Sequence, residues 1–159
     1  MNENNLDPDQ IEQWLDSQSA LLLENQLCFS LYRVANEMVR SYRPLLNQLD
    51  LTYVQYLVML VLWEHDQVSV KYIGERLNLD SGTLTPLLKR LEKKQLIERK
   101  LSEDDERAKV ITLTPNGNKL KNQAKDIPNK MVCQTNLSMQ DLTTLKALSD
   151  KLHLTINEE

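Results

Sequence analysis

Apolar residues recur in steps of three and four from Leu27 onward. Positions 27, 31, 34, 38, 42, 45 and 49 hold Leu, Leu, Val, Met, Tyr, Leu and Leu, the stripe of a long helix. A second stripe, Cys28, Tyr32, Ala35, Val39, Tyr42 and Leu46, lies beside it. The apolar arc is wider than one partner element covers, which predicts burial in a dimer. Pro44 falls inside the stripe and predicts a kink or break near Tyr42 and Arg43. Next, Thr52 and Gln55 give a capping-box signal, with Leu51 able to staple onto Tyr56. The run they open, LTYVQYLVMLVLWEH, is apolar on nearly every face and predicts a central core helix. Ser69 can cap a short helix that turns Val70, Ile73 and Leu77 to one side.

The segment NLDSGTLTPLLKRLEKKQL is the most informative. Asn78 tolerates the left-handed conformation that ends a helix, and Asp80 or Ser81 can cap the next one. Leu84, Leu87, Leu88 and Leu91 form its buried stripe, and Pro86 falls in the second turn, where little hydrogen bonding is lost. The polar side offers Ser81, Thr83, Thr85, Lys89 and Arg90, the small hydroxyls and cations that reach base edges and phosphates. Two short strands follow, LIERKL and the β-branched AKVITLT, around the charged tip SEDDER. Within that tip Asp105 can hold Arg107 extended for a narrow minor groove. Helix, turn, helix and hairpin read as a winged helix-turn-helix. Thr114 then caps a helix with Pro115 at its first position, expected to run to about Val132. Ser138 signals a last helix with the stripe Leu142, Leu145, Leu148 and Leu152, which a partner subunit is expected to cover.

The expected fold is mainly α with a small β-hairpin wing and a dimer interface built from N- and C-terminal helices. Its segments are an acidic arm, partly disordered or helical, over 1–23, a dimerisation and sensor helix over 24–51, a winged DNA-binding lobe over 52–113 with the wing at 97–113, and C-terminal dimerisation helices over 114–159. With 159 residues, three glycines and 41% hydrophobic content, the chain can bury one helical core. The formal charge is −4, but its placement matters more. Residues 1–25 carry six acids and no Lys or Arg, while 71–100 carry eight Lys and Arg against four acids. No apolar run reaches a membrane span, and the acidic start carries no secretory signal, so the cytoplasm is the expected compartment. Two Cys and two His without ligand spacing argue against a metal, and no phosphate loop or nucleophile elbow is present, so neither cofactor nor enzyme activity is expected.

Cys28 is open to two readings from the residues alone, an inert core thiol or a reactive one, which needs exposure and an activating environment. Tyr32 lies one turn away. Tyr42 is 14 positions on, about 21 Å along a straight helix, so its hydroxyl could meet Cys28 only across antiparallel helices of a two-fold dimer. Cys133 is expected just past a helix. It is either without a role or a resolving thiol that turns a sulfenic acid into a disulfide.

The stretch IGERLNLDSGTLTPLLKRLEKKQLIERKLSEDDERAKVITLT resembles the MarR family of winged-helix repressors, including a D-x-R wing signature at Asp105 and Arg107. NQLCFSLYRVANEMVRSYRPLLNQLDLTYVQYLVMLVLWEH resembles the organic hydroperoxide resistance (OhrR) branch. The resemblance runs from about residue 24 to the end. It implies a homodimeric repressor whose recognition helices and wing arginines read a palindromic operator in double-stranded DNA. It further implies Cys28 as the residue an organic hydroperoxide oxidises, Tyr42 and Tyr53 as the tyrosines that hold its thiolate, and Tyr32 in a second tyrosine pair. Cys133 places the chain with the two-cysteine kind, which forms an intersubunit disulfide. Gln95 departs from the pattern, standing where a glycine commonly ends the recognition helix. The competing readings are a regulator released by a small aromatic ligand with Cys28 inert, a thiol peroxidase, and an interaction module that binds no DNA.

Overall fold

The computed structural model describes residues 20–101 and 109–156. The acidic arm through residue 19, and the wing tip with Asp105 and Arg107, lie outside the described residues. After a single 3-10 turn at Leu23–Asn25, the elements are α1 (Leu27–Asn47), α2 (Tyr53–Glu64), β1 (Val68–Ser69), α3 (Val70–Leu77), α4 (Ser81–Lys93), β2 (Ile97–Leu101), β3 (Lys109–Leu113), α5 (Pro115–Ala124), α6 (Ile127–Gln134) and α7 (Met139–Ile156). The chain divides into two compact units between Arg43 and Pro44.

Local chemistry sets most of these boundaries. Thr52 Oγ1 accepts from the Gln55 amide while Gln55 Oε1 accepts from the Thr52 amide at 3.0 Å, a complete capping box. Ser69 caps α3 by accepting from Tyr72 N at 3.0 Å. Asn78 ends α3 at φ 51°, ψ 48°. Of the two candidates ahead of α4, Asp80 is the cap, accepting from Thr83 N and from its hydroxyl, each at 2.8 Å. Gln95 takes φ 57° after α4. The left-handed turn is therefore kept without glycine, closed by Leu96 N donating to Leu91 O at 3.1 Å.

The core of the winged lobe is Tyr56, Val58, Met59 and Leu62 of α2, Ile73 of α3, Leu84, Leu88 and Leu91 of α4, and Ile97 and Ile111 of the sheet, all buried. Leu87 is only half-buried, so α4 docks on three leucines rather than the expected four. The sheet has three antiparallel strands in the order β1-β3-β2, with Val68 opposite Ile111 and Arg99 opposite Ile111 on the other side. Two residues of β1 are too few to show period-2 alternation, which is why this strand is not legible in the sequence.

Two expectations about helix ends need correction. Of the kink or break expected near Tyr42 and Arg43, the break does not occur: α1 runs through Pro44 to Asn47. Only the last turn lies beyond the proline, so one amide bond is lost, and buried Leu46 and Leu49 hold that turn to the lobe. The helix expected to reach Val132 is instead two, α5 and α6, parted at Lys125 and Asp126. Pro128 is the cause: it has no N–H to offer Ala124 and sits in the first turn of α6, where none is needed.

α5 is fastened to the lobe. Thr114 Oγ1 accepts from Gly117 N at 3.0 Å and donates to Gln95 O at 2.6 Å. Trp63 Nε1 donates to Gly117 O at 2.9 Å, and Lys121 Nζ donates to Trp63 O at 2.7 Å. α7 begins with Ser138 accepting from Asp141 N at 3.1 Å and buries no residue in the single chain. No helix among the described residues is long and apolar enough to cross a membrane.

Candidate functional site

Two surfaces carry the candidate residues. On α4 the five polar candidates Ser81, Thr83, Thr85, Lys89 and Arg90 are all exposed. At 100° per residue they do not share one face. Ser81, Thr85 and Lys89 follow one edge of the helix at four-residue spacing, and Thr83 and Arg90 the other, with buried Leu84, Leu88 and Leu91 between them on the inner side. The Thr83 hydroxyl is engaged as a donor to Asp80 Oδ2. These bonds from Thr83 hold the Asp80 carboxyl below the usual carboxylate range, so the cap stays charged at neutral pH.

The end of α4 is tied to β2. Arg99 Nε donates to Glu92 Oε2 at 2.8 Å, and a second guanidinium nitrogen reaches the same oxygen. That hydrogen bond holds the Glu92 carboxyl below its ordinary range. Lys94 Nζ, at the C-cap of α4, lies 3.0 Å from Asp50 Oδ2 and also donates to the Asp50 carbonyl in the turn after α1. Neither Glu92 nor Arg99 was singled out from the sequence. Their signal was available, since α4 ends one turn before β2 and period 2 puts Arg99 on the same sheet face as buried Ile97.

The thiol candidates sit on other elements. Cys28 is the second residue of α1 and is exposed. Leu27 and Tyr32 beside it are 51% and 66% exposed, and Phe29 stacks under the Arg33 guanidinium at 5.4 Å. The thiol is thus open to solvent beside exposed apolar neighbours. Tyr42 shares α1, and the unbroken helix between them fixes the separation at about 21 Å. A bond between Cys28 and Tyr42 of the same chain is therefore excluded. Tyr53 opens α2, half-buried, and burial raises its phenol above the ordinary value, so the hydroxyl remains a donor at neutral pH. Cys133, expected past a helix, lies inside the last turn of α6 and is exposed. The split of the predicted long helix moves it there.

Exposed apolar residues mark the same elements. On α1 these are Leu27, Leu31, Val34, Met38 and Val39, and on α7 they are Leu145, Leu148, Leu154 and Ile156. Single exposed leucines need no explanation, but rows of them along two helices do.

A family model described as transcriptional regulator SarA/Rot matches residues 40–124. The organic hydroperoxide resistance transcriptional regulator of Bacillus subtilis is 50% identical over 137 residues, 86% of this chain and 93% of that protein. Two solved structures of AbfR, a protein of Staphylococcus epidermidis, are also similar. Reduced AbfR bound to DNA matches at 36% identity and TM-score 0.73, covering 84% of this chain and 92% of that one. AbfR with its disulfide formed matches at 34% identity and TM-score 0.64, covering 94% and 99%.

Proposed function

Since the chain belongs to the MarR-type winged-helix transcriptional regulators, in the group that includes the organic hydroperoxide resistance regulators, we propose that it is a cytoplasmic repressor that binds a palindromic operator when reduced and leaves it when an organic hydroperoxide oxidises Cys28. The observation that carries this reading is an exposed Cys28 at the head of a helix whose apolar stripe is uncovered in the single chain. Such a thiol is open to a peroxide and stands where a second chain would pack.

In this reading α1, α6 and α7 of two chains cover one another's exposed stripes. Antiparallel α1 helices bring the partner's Tyr42 to Cys28, which one chain cannot do. Tyr53 adds a donor that stays protonated, and Tyr32 belongs to a second tyrosine pair. The hydroperoxide enters beside Leu27, Phe29 and Tyr32. The Cys28 thiolate attacks the terminal oxygen of R–O–OH; the O–O bond breaks, RO⁻ leaves and takes a proton to become the alcohol, and sulfur is oxidised by two electrons to sulfenic acid. The thiol of the partner's Cys133 then attacks that sulfur, forming S–S and releasing water. The new bond pulls on α6. Because α5 is fastened to the lobe at Thr114, Gly117 and Trp63, displacement near α6 is passed on to the recognition helix. Half-sites about 34 Å apart tolerate little misfit. Thiol reductants reverse the step.

Ser81, Thr83, Thr85, Lys89 and Arg90 contact the major groove in this account, and Asp105 and Arg107 the minor groove. Similarity to a DNA-bound reduced structure and to a disulfide-formed one supports the two states. The experiment is a gel shift on a duplex selected from a random pool by the reduced protein, with and without cumene hydroperoxide, for wild type, Cys28→Ser and Cys133→Ser. Release of Cys28→Ser by peroxide sinks the sensing role and favours a ligand-responsive regulator. Without a Cys133-dependent covalent dimer on a non-reducing gel, the two-cysteine step fails and Cys28 alone remains.

A further inference from the structure

A hollow between the recognition helix and the base of the wing shares Thr85 with the proposed DNA contacts and adds a cation outside them. Val70, Thr85, Leu88, Arg99 and Lys109 line it. Strand register explains why cations reach it. Leu101 pairs with Lys109 and Arg99 with Ile111, so all four share the sheet face that carries buried Ile97 and Ile111, the face turned to the helices.

The two cations differ in what they have to give. Arg99 is spent on Glu92, in a two-nitrogen contact to one oxygen, and the depressed Glu92 carboxyl is the other side of that bond. Lys109 is exposed, and its charge acts on Glu92 only at longer range, adding less to the lowering of that carboxyl than Arg99 does. Thr85 stands across the hollow, exposed, on the helix edge that also carries Ser81 and Lys89. Glu92, Arg99 and Lys109 together leave the hollow one net positive charge, beside one hydroxyl donor and an apolar wall of Val70 and Leu88. That set suits a singly charged phosphodiester that makes one ionic and one neutral contact.

We propose that Lys109 and Thr85 grip a DNA backbone phosphate between recognition helix and wing, while Glu92 holds Arg99 back as the wall of the site. This rests on the reading that the lobe binds DNA, and the test separates the two. The probes are the duplex selected from a random pool by the wild-type protein and an unrelated duplex of equal length, titrated by fluorescence anisotropy over a series of salt concentrations. Lys109→Gln should weaken both several-fold and equally, and lower the slope of log K against log salt by about 0.9 for each phosphate released, hence by about two for a dimer. Thr85→Val should weaken binding and leave the slope unchanged, because a neutral donor displaces no counterion. Lys119→Gln, an exposed cation on α5, should change neither. A Lys109→Gln slope equal to wild type overturns the site while DNA binding stands, and so does an equal loss of slope in Lys119→Gln, which would reveal a general field rather than a contact. If wild type recovers no duplex from the pool, the DNA reading falls and this site falls with it.

Discussion

Replacing Gly117 by alanine puts a methyl group 2.1 Å from the Leu96 carbonyl oxygen and 3.1 Å from Leu113 Cδ2. Carbon does not approach oxygen that closely, so α5 must retreat by about 1 Å. Two bonds lie across the gap. Thr114 N donates to Leu96 O at 3.1 Å and Trp63 Nε1 to Gly117 O at 2.9 Å, and both stretch beyond hydrogen-bonding range. Each is worth about 1 kcal/mol net, and overpacking costs roughly 1–3 kcal/mol more. Alanine's better helix propensity returns up to about 1 kcal/mol. The balance is a loss of about 3 kcal/mol, or roughly 8 °C in Tm for a chain of this size. The assay is thermal unfolding by circular dichroism at fixed protein concentration, because subunit association shifts apparent stability. Trp63→Phe keeps the ring and removes only the donor, and should cost about 1 kcal/mol. A Gly117→Ala protein melting within about 2 °C of wild type would show that α5 is not seated by this close approach, and the route proposed from Cys133 to the lobe would lose its rigid joint.

Three further outcomes follow from the same geometry. Gln95→Gly relieves a side chain held at φ 57° and should raise stability by roughly 0.5–1 kcal/mol in urea unfolding, the gain reduced by glycine's larger unfolded-state entropy. Glu92 has a folded pKa below its ordinary value of 4.5; its contribution is fully present above that value and disappears as pH falls through the lower folded one, so Glu92→Gln should lower stability at neutral pH in urea unfolding, match wild type in acid, and flatten the acid limb between them. Leu148, 60% exposed on α7, is covered by a second chain in the proposed dimer, and Leu148→Glu should shift sedimentation from dimer toward monomer; an unchanged dimer would place the interface elsewhere.

The winged lobe was legible because its signals are local and agree with one another. The Thr52–Gln55 box, the Asn78 turn, the Asp80 cap and the Thr114–Pro115 start all stand where their side-chain chemistry puts them. What the sequence obscured depends on position within an element or on partners far along the chain. Pro44 does not end its helix because it lies three residues from an end anchored by Leu46, whereas Pro128 separates two helices. β1 exists only because Val68 and Ser69 meet β3 more than forty positions later. The five outward residues of α4 were legible as polar, but their division between two helix edges required the helix limits. The hollow at Thr85 and Lys109 needed strand register. The thiol environment is less legible still, because α1 keeps Tyr42 far from Cys28 and the proposed site needs a second chain to bring them together.

The central claim is that Cys28 oxidation releases DNA. It is tested most directly by adding cumene hydroperoxide, about one equivalent per protomer, to reduced protein on a fluorescent selected duplex. The measurement follows anisotropy alongside free thiol content, for wild type and Cys28→Ser. The account predicts that wild-type anisotropy falls as thiols are lost and recovers with dithiothreitol, while Cys28→Ser stays bound. Equal release of Cys28→Ser at the same dose, or complete wild-type oxidation without release, would contradict it.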